Sequence, residues 1–230
     1  SCTVGLEIRQ GDVLEARFEL RERLLARATS ELWSVQVLRE RAPGLLRVYR
    51  PGTTSRDVFS SAVRESARSF TVGHGRIASI IDTHDGGDLL LTLIEYRSGR
   101  LLSAAPAPAP MVYRDVLRLS RPIVEALLGV HEKGEEHGRV DDDHLLVAKD
   151  GWVLLPPDLT VSPRRDTRQL GELIAARLTA GRATSASGHL NDTPELLHAG
   201  RTIPAMLSEL ITEPRAGRAA PRPITPGPAR

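Results

Sequence analysis

The chain is 230 residues long and 40% hydrophobic, with 31 basic against 29 acidic side chains and a net charge of +2. That length suffices for one two-lobed domain or two small ones with an ample core, and the evenly mixed charge lacks the basic stripe that nucleic acid requires. One cysteine, Cys2, excludes an intrachain disulfide framework and fits a reducing compartment, and no apolar run approaches the ~18–20 residues of a membrane span.

No signal peptide is visible, and a start at Ser1 without Met suggests a domain cut from a longer protein. Residues 15–24 alternate with Phe18 and Leu20 on one face, and residues 32–38 and 45–49 supply two more β-like runs. Three antiparallel strands are expected. The first connection, residues 24–30, reads Leu-Leu-Ala-Arg-Ala-Thr-Ser and holds no glycine. Residues 56–70 space Val58, Phe59, Ala62, Val63 and Ala67 for an amphipathic helix. Residues 77–81 and 89–94 predict a hairpin around Asp85-Gly86-Gly87-Asp88. Ser103-Ala104-Ala105-Pro106-Ala107-Pro108-Ala109-Pro110 is a low-complexity linker that favours extended polyproline geometry.

Residues 116–131 repeat Leu119, Ile123, Leu127 and Val130 at helical spacing. This helix feeds a polar loop carrying His131, His137, His144 and the triplet Asp141-Asp142-Asp143, followed by a hairpin of residues 145–147 and 153–155 around Lys149-Asp150-Gly151. The loop has neither the spacing of a closed zinc site nor a Cys partner, so no metal is expected. Residues 166–178 form a helix with Asp166 near its N-cap and Gly181 at its end. Residues 203–211 are a short amphipathic helix, and the Pro-rich residues 214–230 predict a flexible tail.

Helix, polar loop and hairpin in this order resemble the catalytic loop of protein kinases. The resemblance implies an α+β, two-lobed protein-kinase-like fold: a β-rich N-lobe in residues 1–102, a Pro/Ala-rich hinge linker in 103–111, a mainly helical, truncated C-lobe in 112–213 and the tail in 214–230. Kinases use a His-Arg-Asp triplet, an Asn five residues past that Asp, and an Asp-Phe-Gly after the second hairpin strand. On this register His137 matches the His, Arg139 stands at the catalytic Asp, His144 at the magnesium-binding Asn, and Pro157 at the metal-binding Asp, with Asp158 one place later. Residues 24–30 take the place of the glycine-rich loop, Arg47 that of the ATP-anchoring Lys, and Glu65 that of the helix glutamate. Arg47 is expected to pair with Glu65. Asp166 falls at the residue that holds the catalytic-loop backbone, with only six residues between it and Leu159, which leaves almost no activation segment. The expectation is a catalytically inactive pseudokinase, with no catalytic residue, no cofactor and no enzyme activity. The alternative is a residual ATP-binding switch or an atypical phosphotransferase.

The glycine-free loop, the altered catalytic loop, the short activation segment and the Pro-rich tail together are similar to the cytoplasmic pseudokinase domain of the actinobacterial MurJ (MviN) family, lipid II flippases of peptidoglycan synthesis. That resemblance implies a domain at the cytoplasmic face of the plasma membrane, tethered to a membrane protein outside this segment. It further implies phosphorylation on Thr by a Ser/Thr protein kinase, and then binding to a forkhead-associated (FHA) domain protein of the FhaA type. Such readers pair Arg and polar donors with the added charge and oxygens of phosphothreonine. Thr225 in the tail, Thr212 at the end of the last helix, and Thr193 with Leu196 three residues on are the candidate sites.

Overall fold

A computed structural model describes residues 7–52, 55–105, 113–159, 166 and 169–173. The strands are β1 (Val13–Leu14), β2 (Phe18–Ala26), β3 (Ser30–Val37), β4 (Ala42–Tyr49), β5 (Ile80–Gly86), β6 (Leu89–Ile94), β7 (Arg100–Leu101), β8 (Leu145–Ala148) and β9 (Gly151–Leu154). Two helices, α1 (Arg56–Arg68) and α2 (Tyr113–His131), and a short 3-10 turn at Leu102–Ala104 complete the described elements. Strands β1 to β6 form one antiparallel sheet in the order β1-β2-β3-β4-β6-β5, and β7-β8-β9 form a second.

Strict alternation builds the larger sheet. Along β3, Trp33, Val35 and Val37 point to one face, where they pack with Phe18, Leu20, Leu46, Val48, Leu91 and Leu93. Leu32, Leu45 and Ile94 point to the other and join a larger core with Phe70, Ile77, the α2 residues Val116, Ile123, Leu127 and Val130, and the hairpin residues Leu145, Leu146, Val153 and Leu154. By the same period of two, Arg47 lies on the face of Leu45 and Tyr49, which looks toward the second half of the molecule. Helix α1 lays its buried residues Ser60, Val63 and Ala67 inward, and α2 runs on through Pro122, whose missing N–H removes one rung of the helix ladder.

Three features depart from the sequence pattern. β1 and β7 are two-residue strands with no periodicity of their own, and each exists through its partner, β2 or β8. The expected strand at residues 77–81 begins only at Ile80, because residues 76–78 pair across the molecule instead. Leu154 N donates to Arg76 O at 2.8 Å and Ala78 N to Leu154 O at 2.9 Å, making Ile77 and Leu154 an isolated parallel bridge. No described helix is long and apolar enough to cross a membrane. The helix expected at 203–211, the tail at 214–230, most of the helix at 166–178, and Thr193, Thr212 and Thr225 lie outside the described residues.

Candidate functional site

The loop between α2 and β8 is held from below by Asp166. Its carboxylate accepts backbone N–H bonds from His137 at 2.7 Å and Gly138 at 2.6 Å, and a third contact at 2.9 Å joins it to His131 Nε2 at the end of α2. Gln169 continues the clamp: its Oε1 accepts from Val140 N at 2.9 Å and its Nε2 donates to Gly138 O at 3.2 Å. Sequence reasoning placed Asp166 but missed Gln169. The signal was there, since residues three apart share one face of a helix. Gly138 sits at φ +80, a conformation that glycine adopts without steric cost.

His137 is buried and fully engaged as a neutral imidazole. Its Nε2 meets Leu155 O at 2.7 Å and its Nδ1 accepts from Arg139 N at 3.1 Å, while its ring stands edge-on to Phe70 with centroids 5.3 Å apart. Burial pushes the imidazole down to about 4. His131 moves the opposite way, raised first by its hydrogen bond to Asp166. Burial alone would raise the Asp166 carboxyl, but its hydrogen bonds with His131 and the two backbone N–H donors hold it below the ordinary carboxylate value.

These directions give a pH prediction. The His131–Asp166 contact contributes fully below pH ~6.5, the unfolded value, and is lost as pH rises through the raised folded value. His137 acts in reverse: between pH ~6.5 and ~4 the unfolded chain takes up a proton that the folded one refuses, so stability falls with pH there. In urea denaturation, His131→Gln should therefore lower the midpoint clearly at pH 6 and much less at pH 9. Equal losses at both would remove the assigned charge from His131.

Above this loop lies a network of charge between the two halves. Arg27, in the turn between β2 and β3, reaches Asp143 at 2.6 Å and Asp158 at 3.7 Å. Asp158, only 3% exposed, also faces Arg139 at 3.9 Å and His144 at 3.6 Å. Asp141 joins through His144 at 2.7 Å and Arg139 at 3.3 Å. Burial works to raise the Asp141 carboxyl, and the His144 hydrogen bond with the nearby Arg139 and Arg27 brings it below its ordinary value. The positions read from sequence as His137, Arg139, His144 and Asp158 thus converge. Arg27 was missed because nothing local tells which acidic group a loop cation will reach. Among the described residues no group of three or more His, Cys, Asp or Glu has the arrangement to hold a metal ion.

The expected pairing of Arg47 with Glu65 is not formed. Arg47 is buried, and its Nη1 donates to the carbonyls of Pro156 and Pro157, both at 2.9 Å. Glu65 points to solvent, its side chain 72% exposed and paired with Arg68 at 3.1 Å. The reason is helical phase: Glu65 follows the inward Val63 by two residues, about 200° around the axis, so it faces away from the sheet. Pro157 enters the site through its main-chain oxygen, which accepts from Arg47 Nη1.

No protein-family profile matches the chain. In sequence it is 26% identical over 145 residues to the serine/threonine-protein kinase pkn2 of Myxococcus xanthus, a match that covers 62% of this chain and 16% of that protein. In structure it is similar to the PknI kinase domain of Mycobacterium tuberculosis: one crystal structure of a cysteine-to-alanine mutant superposes with a TM-score of 0.69 at 16% identity, over 90% of this chain and 98% of that one. A second PknI kinase-domain structure gives 0.67 at 17% identity, over 89% and 98%. The expectation that the chain is not an enzyme is corrected by these findings. The proteins it is similar to are protein kinases, and substitutions at single motif positions do not show that activity is lost when Asp141, Asp143 and Asp158 still gather between the two halves. The chain has a protein-kinase-like fold, with a curled antiparallel N-lobe sheet and few described helices, and is similar in sequence to a serine/threonine-protein kinase.

Proposed function

We propose that this kinase-like domain is a phosphorylation-dependent protein-interaction and regulatory module, read by an FHA domain protein once one of its threonines is phosphorylated, in control of peptidoglycan synthesis and lipid II flipping. The observation that supports it is the way the two halves are tied into one platform. Arg47 bonds the main chain at Pro156 and Pro157, Arg76 donates to the Asp150 carboxylate at 2.9 Å, and one core runs through both halves. Such a platform presents a phosphothreonine from sequence beyond it without distorting the fold. Thr193, Thr212 and Thr225 follow it in the chain.

The test is direct. The domain is phosphorylated in vitro by a Ser/Thr kinase, the site is mapped by mass spectrometry, and FHA binding is measured before and after by calorimetry. Phosphorylation should tighten binding at least about tenfold, since one added charge-assisted hydrogen bond of ~1.5–3 kcal/mol is worth that much. Thr→Ala at the mapped site should abolish the gain. Equal binding by the unphosphorylated domain would move recognition to the folded lobes and end the proposal.

A second reading is favoured by the similarity to kinases and by the carboxylates gathered between the two halves: the domain binds a nucleotide there, as a switch or an atypical phosphotransferase. Asp143 and Asp158 are then the groups nearest the phosphates and their counter-cation. Melting measured with and without ATP and magnesium tests it, because a ligand of the folded state raises the midpoint.

A further inference from the structure

Arg27 stands in a turn that is fixed on both sides. Its own N–H donates to Ser30 O at 2.8 Å, closing the loop between β2 and β3, and Arg50 N donates to Thr29 O at 2.9 Å, tying the loop tip to the end of β4. With Arg27, Ala28, Thr29 and Ser30 in this loop, Cβ atoms line its whole length, where a kinase keeps glycines so that the backbone closes on phosphates. The Arg27 side chain then crosses from the N-lobe to Asp143 in the polar loop, 116 positions later, and to Asp158 past β9.

The partners of this contact are unequal. Asp158 keeps Arg139 and His144 beside it whether or not Arg27 is present. Asp143 is about a third exposed, so water takes up its charge when Arg27 leaves. The pair can therefore open without stranding a buried charge. Its geometry is that of a removable link and not of a core contact.

We propose that Arg27 is an inter-lobe latch: bound to Asp143 and Asp158, it holds the β2–β3 loop down on the polar loop and keeps a nucleoside polyphosphate with its divalent cation out. The guanidinium neutralises the same two carboxylates that would otherwise face the cation, so latch and ligand compete for one pair of groups. The proposal rests on the second reading above, that a nucleotide binds at these carboxylates, and is independent of FHA binding.

Two measurements on the full chain separate the failures. Hydrogen exchange of the amides of residues 26–32 reads the latch itself, in the parent, in Arg27→Ala and in Asp143→Asn, with Arg9→Ala, which breaks only the exposed Arg9–Glu7 pair, as control. Titration calorimetry with ATP and magnesium reads exclusion. Arg27→Ala and Asp143→Asn should both speed loop exchange about tenfold, the loss expected for one charge-assisted hydrogen bond, and Arg9→Ala should not. Arg27→Ala should also bind the nucleotide about tenfold more tightly than the parent. Unchanged exchange in both latch variants overturns the latch. Faster exchange with unchanged nucleotide affinity overturns the exclusion, and if neither protein binds, the nucleotide reading falls with it.

Discussion

Asp166→Ala should destabilise the domain by about 3–5 kcal/mol, measured as the loss of unfolding free energy in urea at pH 7. The carboxylate is fully buried, and its removal strands the main-chain N–H groups of His137 and Gly138 as donors without acceptors. Each such orphan costs ~1–3 kcal/mol, and the loss of the His131 contact adds to them. Asp166→Asn keeps the shape and one acceptor oxygen but turns an amide N–H toward a backbone N–H, so its effect should fall between parent and alanine. A loss below about 1 kcal/mol for Asp166→Ala would mean that water or Gln169 replaces the acceptor. The carboxylate's share of stability is present above pH ~4 and lost as pH falls through its lowered folded value.

Arg47→Ala should cost about 2–4 kcal/mol in the same assay. The side chain is 4% exposed and supplies both hydrogen bonds that Pro156 O and Pro157 O receive from it, and it sits beside the buried Tyr49, whose phenol burial pushes up. Glu65→Ala should change stability by less than about 0.5 kcal/mol, as exposed substitutions generally do. The double variant should then equal the sum of the two within about 0.5 kcal/mol, the mark of residues that share no partner. A coupling above about 1 kcal/mol would restore a contact between Arg47 and Glu65.

Much of the fold was legible because it is local. Alternation in residues 32–38 located β3, helical spacing of Val63 with Ala67 and of Ile123 with Leu127 located α1 and α2, and Lys149-Asp150-Gly151 located the β8–β9 turn. What escaped depends on distant partners. β7 is two residues long and exists because Leu101 meets Leu146. The site was legible in part: a motif register brought His137, Arg139, His144 and Asp158 to one region, and Asp166 beneath it. It could not supply directions. A register says that Arg47 occupies a given place on a strand, while its acceptors lie more than a hundred residues on, in the backbone of two prolines. Glu65 was the avoidable error, since the inward face set by Val63 and Ala67 already turned it outward.

The bridge between Ile77 and Leu154 bears on how this molecule comes apart. Its two main-chain hydrogen bonds and the core around it mean that neither half closes its own interior: Phe70 and Ile77 are covered from the far side by Leu127, Val130 and Leu154. Cut at the linker, the first half would show that apolar face to water, and the second would lose the strand-like segment that caps β9. Unfolding should then be a single event followed identically by Trp33 and Trp152 fluorescence, one tryptophan in each half. Evolution or an engineer exchanging either lobe must then carry the matching face of the other along with it.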